Sequence, residues 1–129
     1  MHKIFRTRTF GRWAQKQGLS DGALAQAVSE MEGGLIDAEL GGNLVKKRVA
    51  LPGVGKRGGA RTIVATRMEG YWFFLFGFAK NERANIDAKE LRFLQEVARD
   101  LLELDDRQIQ KAIVAGELVE VKNDDDKSK

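Results

Sequence analysis

The chain has no cysteine, one histidine (His2) and one tyrosine (Tyr71). Without cysteine there is no disulfide, no thiol nucleophile and no thiolate zinc site, a composition compatible with a cytoplasmic setting. One histidine next to the chain start rules against a catalytic triad or a histidine-based metal site. Long apolar runs are missing too. The longest, Tyr71 to Ala79, is nine residues, too short to cross a bilayer as a helix. The basic stretch Met1 to Lys16 has no apolar core, so no secretory signal is expected. At 129 residues, with 43% hydrophobic and 32% charged residues, the chain fits one globular domain.

A more local absence is the most informative. Between Glu39 and Glu69 there is no acidic residue, while Lys46, Lys47, Arg48, Lys56, Arg57, Arg61 and Arg67 all fall there. The net charge of only +3 hides this block, because residues 81–129 carry nine basic and thirteen acidic residues. A block of one sign suits a phosphate-rich partner. A metal-dependent nuclease needs clustered carboxylates, and the block has none.

Periodicity supplies the scaffold. Lys3 to Arg6 reads as a short first strand. Phe10, Trp13, Ala14 and Gln17 place a helix over 9–17 that stops at Gly18. Ser20 is the N-cap of a second helix, with Leu24, Ala27, Val28 and Met31 as its apolar stripe and Gly33-Gly34 at its end. Trp13 and Met31 are expected in the core. Asp87 and Glu90 form a capping box ahead of a helix bearing Leu91, Leu94, Val97, Ala98, Leu101 and Leu102. Asp105-Asp106 caps a further helix, Gly116 ends it, and Leu118–Val121 reads as a last strand. The polar tail at 122–129 is expected to be disordered.

The middle of the chain reads as a sheet. Tyr71–Ala79 is apolar on both parities, the mark of a central strand covered on both faces. Met68-Glu69-Gly70-Tyr71 reads as a tight hairpin turn. A two-residue turn at Glu69-Gly70 sets Arg61 opposite Phe78 and Lys80 opposite Gly59. Arg61, Phe78 and Lys80 then share a face, which the pattern makes that of Trp72, Phe74 and Phe76. Pairing Leu51 with Ala60 adds Lys46 and Arg48 to it, and turns Lys47 to the other side as a docking charge. Four glycines in Pro52–Gly59 make a bendable loop from which Lys56 and Arg57 overhang the cluster. Anchored cations of this kind suit phosphate binding, although a solvated basic surface gives the same pattern.

Two motif matches fail. Gly53–Gly58 fits G-x-G-x-x-G, yet a strand follows it instead of a helix, and the acidic residue about 20 positions on is missing. No G-K-[ST] closes the loop as a P-loop requires.

The segments Lys46-Lys47-Arg48-Val49-Ala50, GKRGGAR (Gly55–Arg61) and GFAKNERANI (Gly77–Ile86) resemble the RelE superfamily of bacterial toxins, closest to its HigB branch. The likeness covers about residues 1–104, with 105–121 as an extension. It implies an α+β fold, an N-terminal helical hairpin packed on a small antiparallel sheet with C-terminal helices. It also implies the toxin of a type II toxin–antitoxin pair that cuts mRNA in the ribosomal A site without a metal or other cofactor. In that chemistry the RNA 2′-hydroxyl attacks the adjacent phosphate and leaves a cyclic phosphate. The matching positions make Arg61, Lys80 and Lys56 the catalytic candidates. Lys46, Arg48, Arg57, Arg67 and Arg83 are candidates for RNA or ribosome contact. Beside Arg61, Lys80 is the candidate to handle a proton. Relatives often add a late tyrosine or histidine, which Tyr71 and His2 do not match in place. The implied partners are the ribosome, mRNA and a helix-turn-helix antitoxin encoded nearby, with no membrane. A gyrase-directed toxin of the ParE branch, or a non-catalytic nucleic-acid binder, is the alternative.

Overall fold

A computed structural model describes residues 3–53 and 55–122, and of residues 55–57 the backbone alone. The expectations for His2 and for the tail beyond Lys122 therefore lie outside the described residues. In chain order the elements are β1 (Lys3–Thr7), α1 (Arg8–Gln17), α2 (Asp21–Glu32), β2 (Ala38–Gly41), β3 (Leu44–Leu51), β4 (Gly55–Thr66) and β5 (Tyr71–Ala79). They are followed by α3 (Ala88–Leu102), α4 (Asp106–Val114) and β6 (Leu118–Val121).

The six strands form one sheet in the order β2-β3-β4-β5-β1-β6. This corrects the expected architecture of a helical hairpin at the N-terminus on a small antiparallel sheet. The described chain starts with a strand, which enters the sheet interior beside β5 and parallel to it, with Ile4 opposite Trp72 and Phe5 opposite Phe73. The sheet is therefore mixed. Residues Ile4 and Phe5 are buried on opposite faces, so β1 has core on both sides. Thr7 then ends the strand and caps the first helix, its hydroxyl accepting from the Phe10 N–H at 3.2 Å.

Helix boundaries follow the capping chemistry. Gly18 closes α1 with a φ of 75°, Ser20 accepts from the Ala23 N–H to open α2, and Asp87 and Asp105 each open a helix with a complete capping box. The α1 and α2 helices cover one sheet face, where Phe10, Leu24, Val28 and Met31 pack on Val45, Val64, Trp72 and Phe74. On the other face Leu94 and Ala98 of α3 and Ile109 of α4 pack with Phe5, Ile63, Ala65, Phe73 and Leu118. Trp13 packs on β5 so closely that a Cβ on Gly77 would come within 2.3 Å of its ring. Only glycine fits beneath it.

Two details of pairing depart from the expected register. The turn between β4 and β5 is wider than two residues, since Thr66 pairs with Trp72 and both Met68 and Gly70 have positive φ. The pairing then shifts between Ile63 and Val64, whose partners are Phe76 and Phe74, so Leu75 is the extra residue of a bulge. The two deviations cancel, and Arg61 does lie opposite Phe78. On β3 it is Val49, not Leu51, that pairs with Ala60. That is a slip of two residues, which preserves side-chain parity.

Candidate RNA-binding face

The bulge at Leu75 decides what surrounds Arg61. Strict alternation from Trp72 and Phe74 puts Phe76 and Phe78 beneath α1. Instead Trp72 and Phe74 stay on the α1–α2 face, while Leu75 and Phe76 both pack toward α3. Arg61 and Phe78 therefore belong to the α3 face, and the expected company of Trp72 and Phe74 is corrected.

On that face a row runs Arg48–Arg61–Phe78 across β3, β4 and β5, and beside it a second row runs Lys46–Ile63–Phe76. Arg61 is half-buried, and its Nη1 is buried without a hydrogen-bond partner among the described residues. Such an atom carries the cost of lost hydration with no return until an acceptor arrives. Phe78 is only 2% exposed. Arg83 lies over both aromatics, 5.6 Å from the Phe78 ring centroid and 5.9 Å from that of Phe76.

Arg83 is held there by the start of α3. Its Nη1 meets Glu90 Oε2 at 3.0 Å, its Nη2 also donates to the Glu90 carboxylate, and its Nε donates to the Asn85 carbonyl at 3.0 Å. Glu90 is the third residue of the Asp87 capping box, so one carboxylate closes the helix and fixes the cation. The bond from Arg83, with that from the Asp87 backbone, holds the Glu90 carboxyl below its usual range, and Glu90 in turn raises the Arg83 guanidinium.

Arg48 is similarly committed. Its Nε lies 2.7 Å from Asp37 Oδ1, and its backbone N–H also bonds that carboxylate. Partial burial of Asp37 acts against its ionisation. The hydrogen bonds and charge of Arg48 and the charge of Lys47 outweigh it and keep the carboxyl low. Arg61, Lys46 and Lys80, by contrast, have no carboxylate partner among the described residues. Lys80 follows the last residue of β5 and donates its N–H to the Gly59 carbonyl at 3.1 Å, and its side chain is exposed.

Arg67 does not join the cluster: at the far end of β4 it donates to the Leu102 carbonyl at 2.8 Å. The side chains of Lys56 and Arg57 lie outside the described residues, and their backbone is strand, so the expected mobile loop is shorter than 52–59. Tyr71 bonds Asp106, away from the cationic row. Lys47 does turn to the opposite face, yet it is 1% exposed and paired with Glu30 at 2.8 Å, so it is a core ion pair and no docking charge.

A family model described as the RelE toxin of the RelE / RelB toxin-antitoxin system matches residues 2–121. The chain belongs to the RelE toxin family. A comparison with curated proteins finds no match. As a RelE toxin it has a cognate antitoxin for a partner. The match takes in α4 and β6, beyond the residues 1–104 that the motifs alone covered. No described helix is long and apolar enough to cross a membrane. Among the described residues no cluster of three or more potential ligands stands ready for a metal ion. Sequence reasoning missed Glu90 and Asp37 as holders of Arg83 and Arg48. A capping box signals a helix start, and nothing in its spacing tells which arginine the same carboxylate will hold.

Proposed function

We propose that this RelE toxin is a ribosome-dependent mRNA endonuclease of the HigB branch, working in the cytoplasm and restrained by a helix-turn-helix antitoxin. The observation that carries the reading is Arg61: a half-buried guanidinium between Arg48 and Phe78 with a buried donor awaiting an acceptor. A phosphate oxygen satisfies that donor, and a planar guanidinium grips it through two N–H groups.

In the proposed step the 2′-oxygen of the RNA forms a bond to the adjacent phosphorus and loses its proton. The bond from phosphorus to the 5′-oxygen breaks, and that oxygen takes up a proton as the next nucleotide departs. Extra negative charge on the phosphorane-like transition state is what Arg61 stabilises, with Lys80 at the strand end beside it and Lys56 on the same strand as Arg61. Lys46 and Arg57 add phosphate contacts, and Arg83 presents a fixed cation on an aromatic wall. Gyrase inhibition by the same fold gives the unpaired donor of Arg61 no task.

The test is cleavage by the purified protein. Message on translating ribosomes is expected to be cut, naked RNA to be nearly resistant, and EDTA to act only by removing the magnesium that ribosomes need. Rapid cutting of free RNA, or activity restored only by added metal, contradicts the reading.

A further inference from the structure

On the β3 side of α3, at the opposite end of the sheet from the cationic row, an open groove of about 520 Å³ is lined by residues of the helix, of the β2–β3 turn and by Arg67. Its walls include Arg67, Arg92, Arg99, Asn43 and Gln95, with Glu96 the one carboxylate among its lining residues. We infer that this groove is a second phosphate-backbone site, which holds RNA away from the point of cleavage. The inference rests on the nuclease reading and extends it to how the substrate or its ribosomal surroundings are gripped.

Three observations carry it. First, the arginines come from two elements and converge on a concavity, which simple solvation of a helix face does not require. Arg92 and Arg99 stand seven residues apart, two turns or about 10.5 Å along the axis, on the same side of α3. Second, their charges are available. Arg92 has no carboxylate partner among the described residues, and Arg99 comes only within 3.9 Å of Asp100, with both side chains mostly exposed. Arg67 is steadied by the Leu102 carbonyl, which uses one of its donors.

Third, the far wall is fixed. Gln95 donates to the Leu40 carbonyl at 3.1 Å, and a Cβ on Gly42 would approach its Cγ to 2.9 Å. The turn therefore presses against α3 and sets the groove width. Arg67, the first residue after β4, follows Arg61 by six positions, which at strand rise is about 20 Å. An RNA strand held at both places is anchored on either side of several phosphates.

The experiment measures anisotropy of a fluorescent single-stranded oligouridine over a range of salt. It compares wild type, Arg92→Ala/Arg99→Ala, and Arg12→Ala/Lys16→Ala, whose residues are exposed on α1. The Arg92/Arg99 variant is expected to bind about tenfold more weakly and to lose about 1.4 from the log–log salt slope, at about 0.7 per lost phosphate contact. With ribosome-bound message, KM is expected to rise while kcat holds. Equal loss in the α1 pair, an unchanged slope in the α3 pair, or a wild type that binds no oligouridine overturns the groove. A wild type that binds through the groove and never cuts ribosome-bound message removes the nuclease reading and leaves the groove standing.

Discussion

Arg61 and Lys47 sit on adjacent strands, each with one positive charge, in opposite surroundings. Lys47 faces α2, buried and paired with Glu30. Arg61 faces the other way, half-buried, with a donor unsatisfied. Arg61→Ala is expected to leave the fold intact and lower cleavage on the ribosome by about 3–4 kcal/mol in the barrier, the cost of losing an oxyanion donor. Ribosome binding is expected to change little, because the loss falls on chemistry. The exposed Lys89→Ala is the matched charge control, at about 1 kcal/mol or less. Equal and mild losses in both variants return the cluster to an ordinary basic surface. Lys47→Ala fails in another way. It removes the buried ammonium that pairs with Glu30 and leaves a hole where its stem packs, and breaking such a buried pair costs up to about 3–5 kcal/mol of stability. Urea unfolding reads this directly as a lower midpoint, and a near-wild-type midpoint contradicts the core assignment. Strand alternation alone told Lys47 from its neighbours by direction. It could not tell burial from exposure, because α2 reaches the sheet from another part of the chain.

At the scale of elements, the opening turn of α3 couples helix stability to the cationic face through Glu90. The Glu90 and Asp37 carboxyls both lie below their ordinary values of 4.5 and 3.8 in the folded chain. A depressed carboxyl contributes stability that is complete above its unfolded value and is lost as pH falls through the lower folded value. Tm is therefore expected to fall as pH drops below about 4.5. Glu90→Gln keeps a side chain that can close the capping box but removes the charge that fixes Arg83. Its Tm is expected below wild type at pH 7, with the gap narrowing in acid as Glu90 of the wild type takes up a proton. A gap that stays constant down to acid pH contradicts the Glu90–Arg83 assignment. Elements of this kind were well marked in the sequence, since caps and glycine stops are local. The sheet was less so. Opposition of Arg61 to Phe78 was anticipated from a two-residue turn, and it holds because a wider turn and the Leu75 bulge compensate. Nothing local in Tyr71–Ala79 marks that bulge, and the four-residue β2 is too short to show a period.

At the scale of the whole molecule, the parallel pairing of β1 with β5 joins residues nearly seventy positions apart, and no local pattern announces it. The same distance problem hid the part played by residues 105–121. This extension returns to the chain start: β6 pairs antiparallel with β1, Ile4 opposite Val121 and Thr7 opposite Leu118. Ile109 and Leu118 are each 2% exposed and Val121 is 4% exposed. Burying three such side chains contributes about 1.5–3 kcal/mol each. The sum rivals the net stability of a typical domain, about 5–15 kcal/mol. Removing the extension also turns β1 into an edge strand, paired with β5 on one side only and open on the other as a template for aggregation. A chain ended after Leu104 is therefore expected to be insoluble, or to unfold well below wild type, with or without antitoxin. If the extension served the antitoxin alone, the shortened chain would instead melt like wild type and arrest growth with the antitoxin unable to rescue it. Thermal melts of the two chains, each purified alone, separate these outcomes before any partner is added.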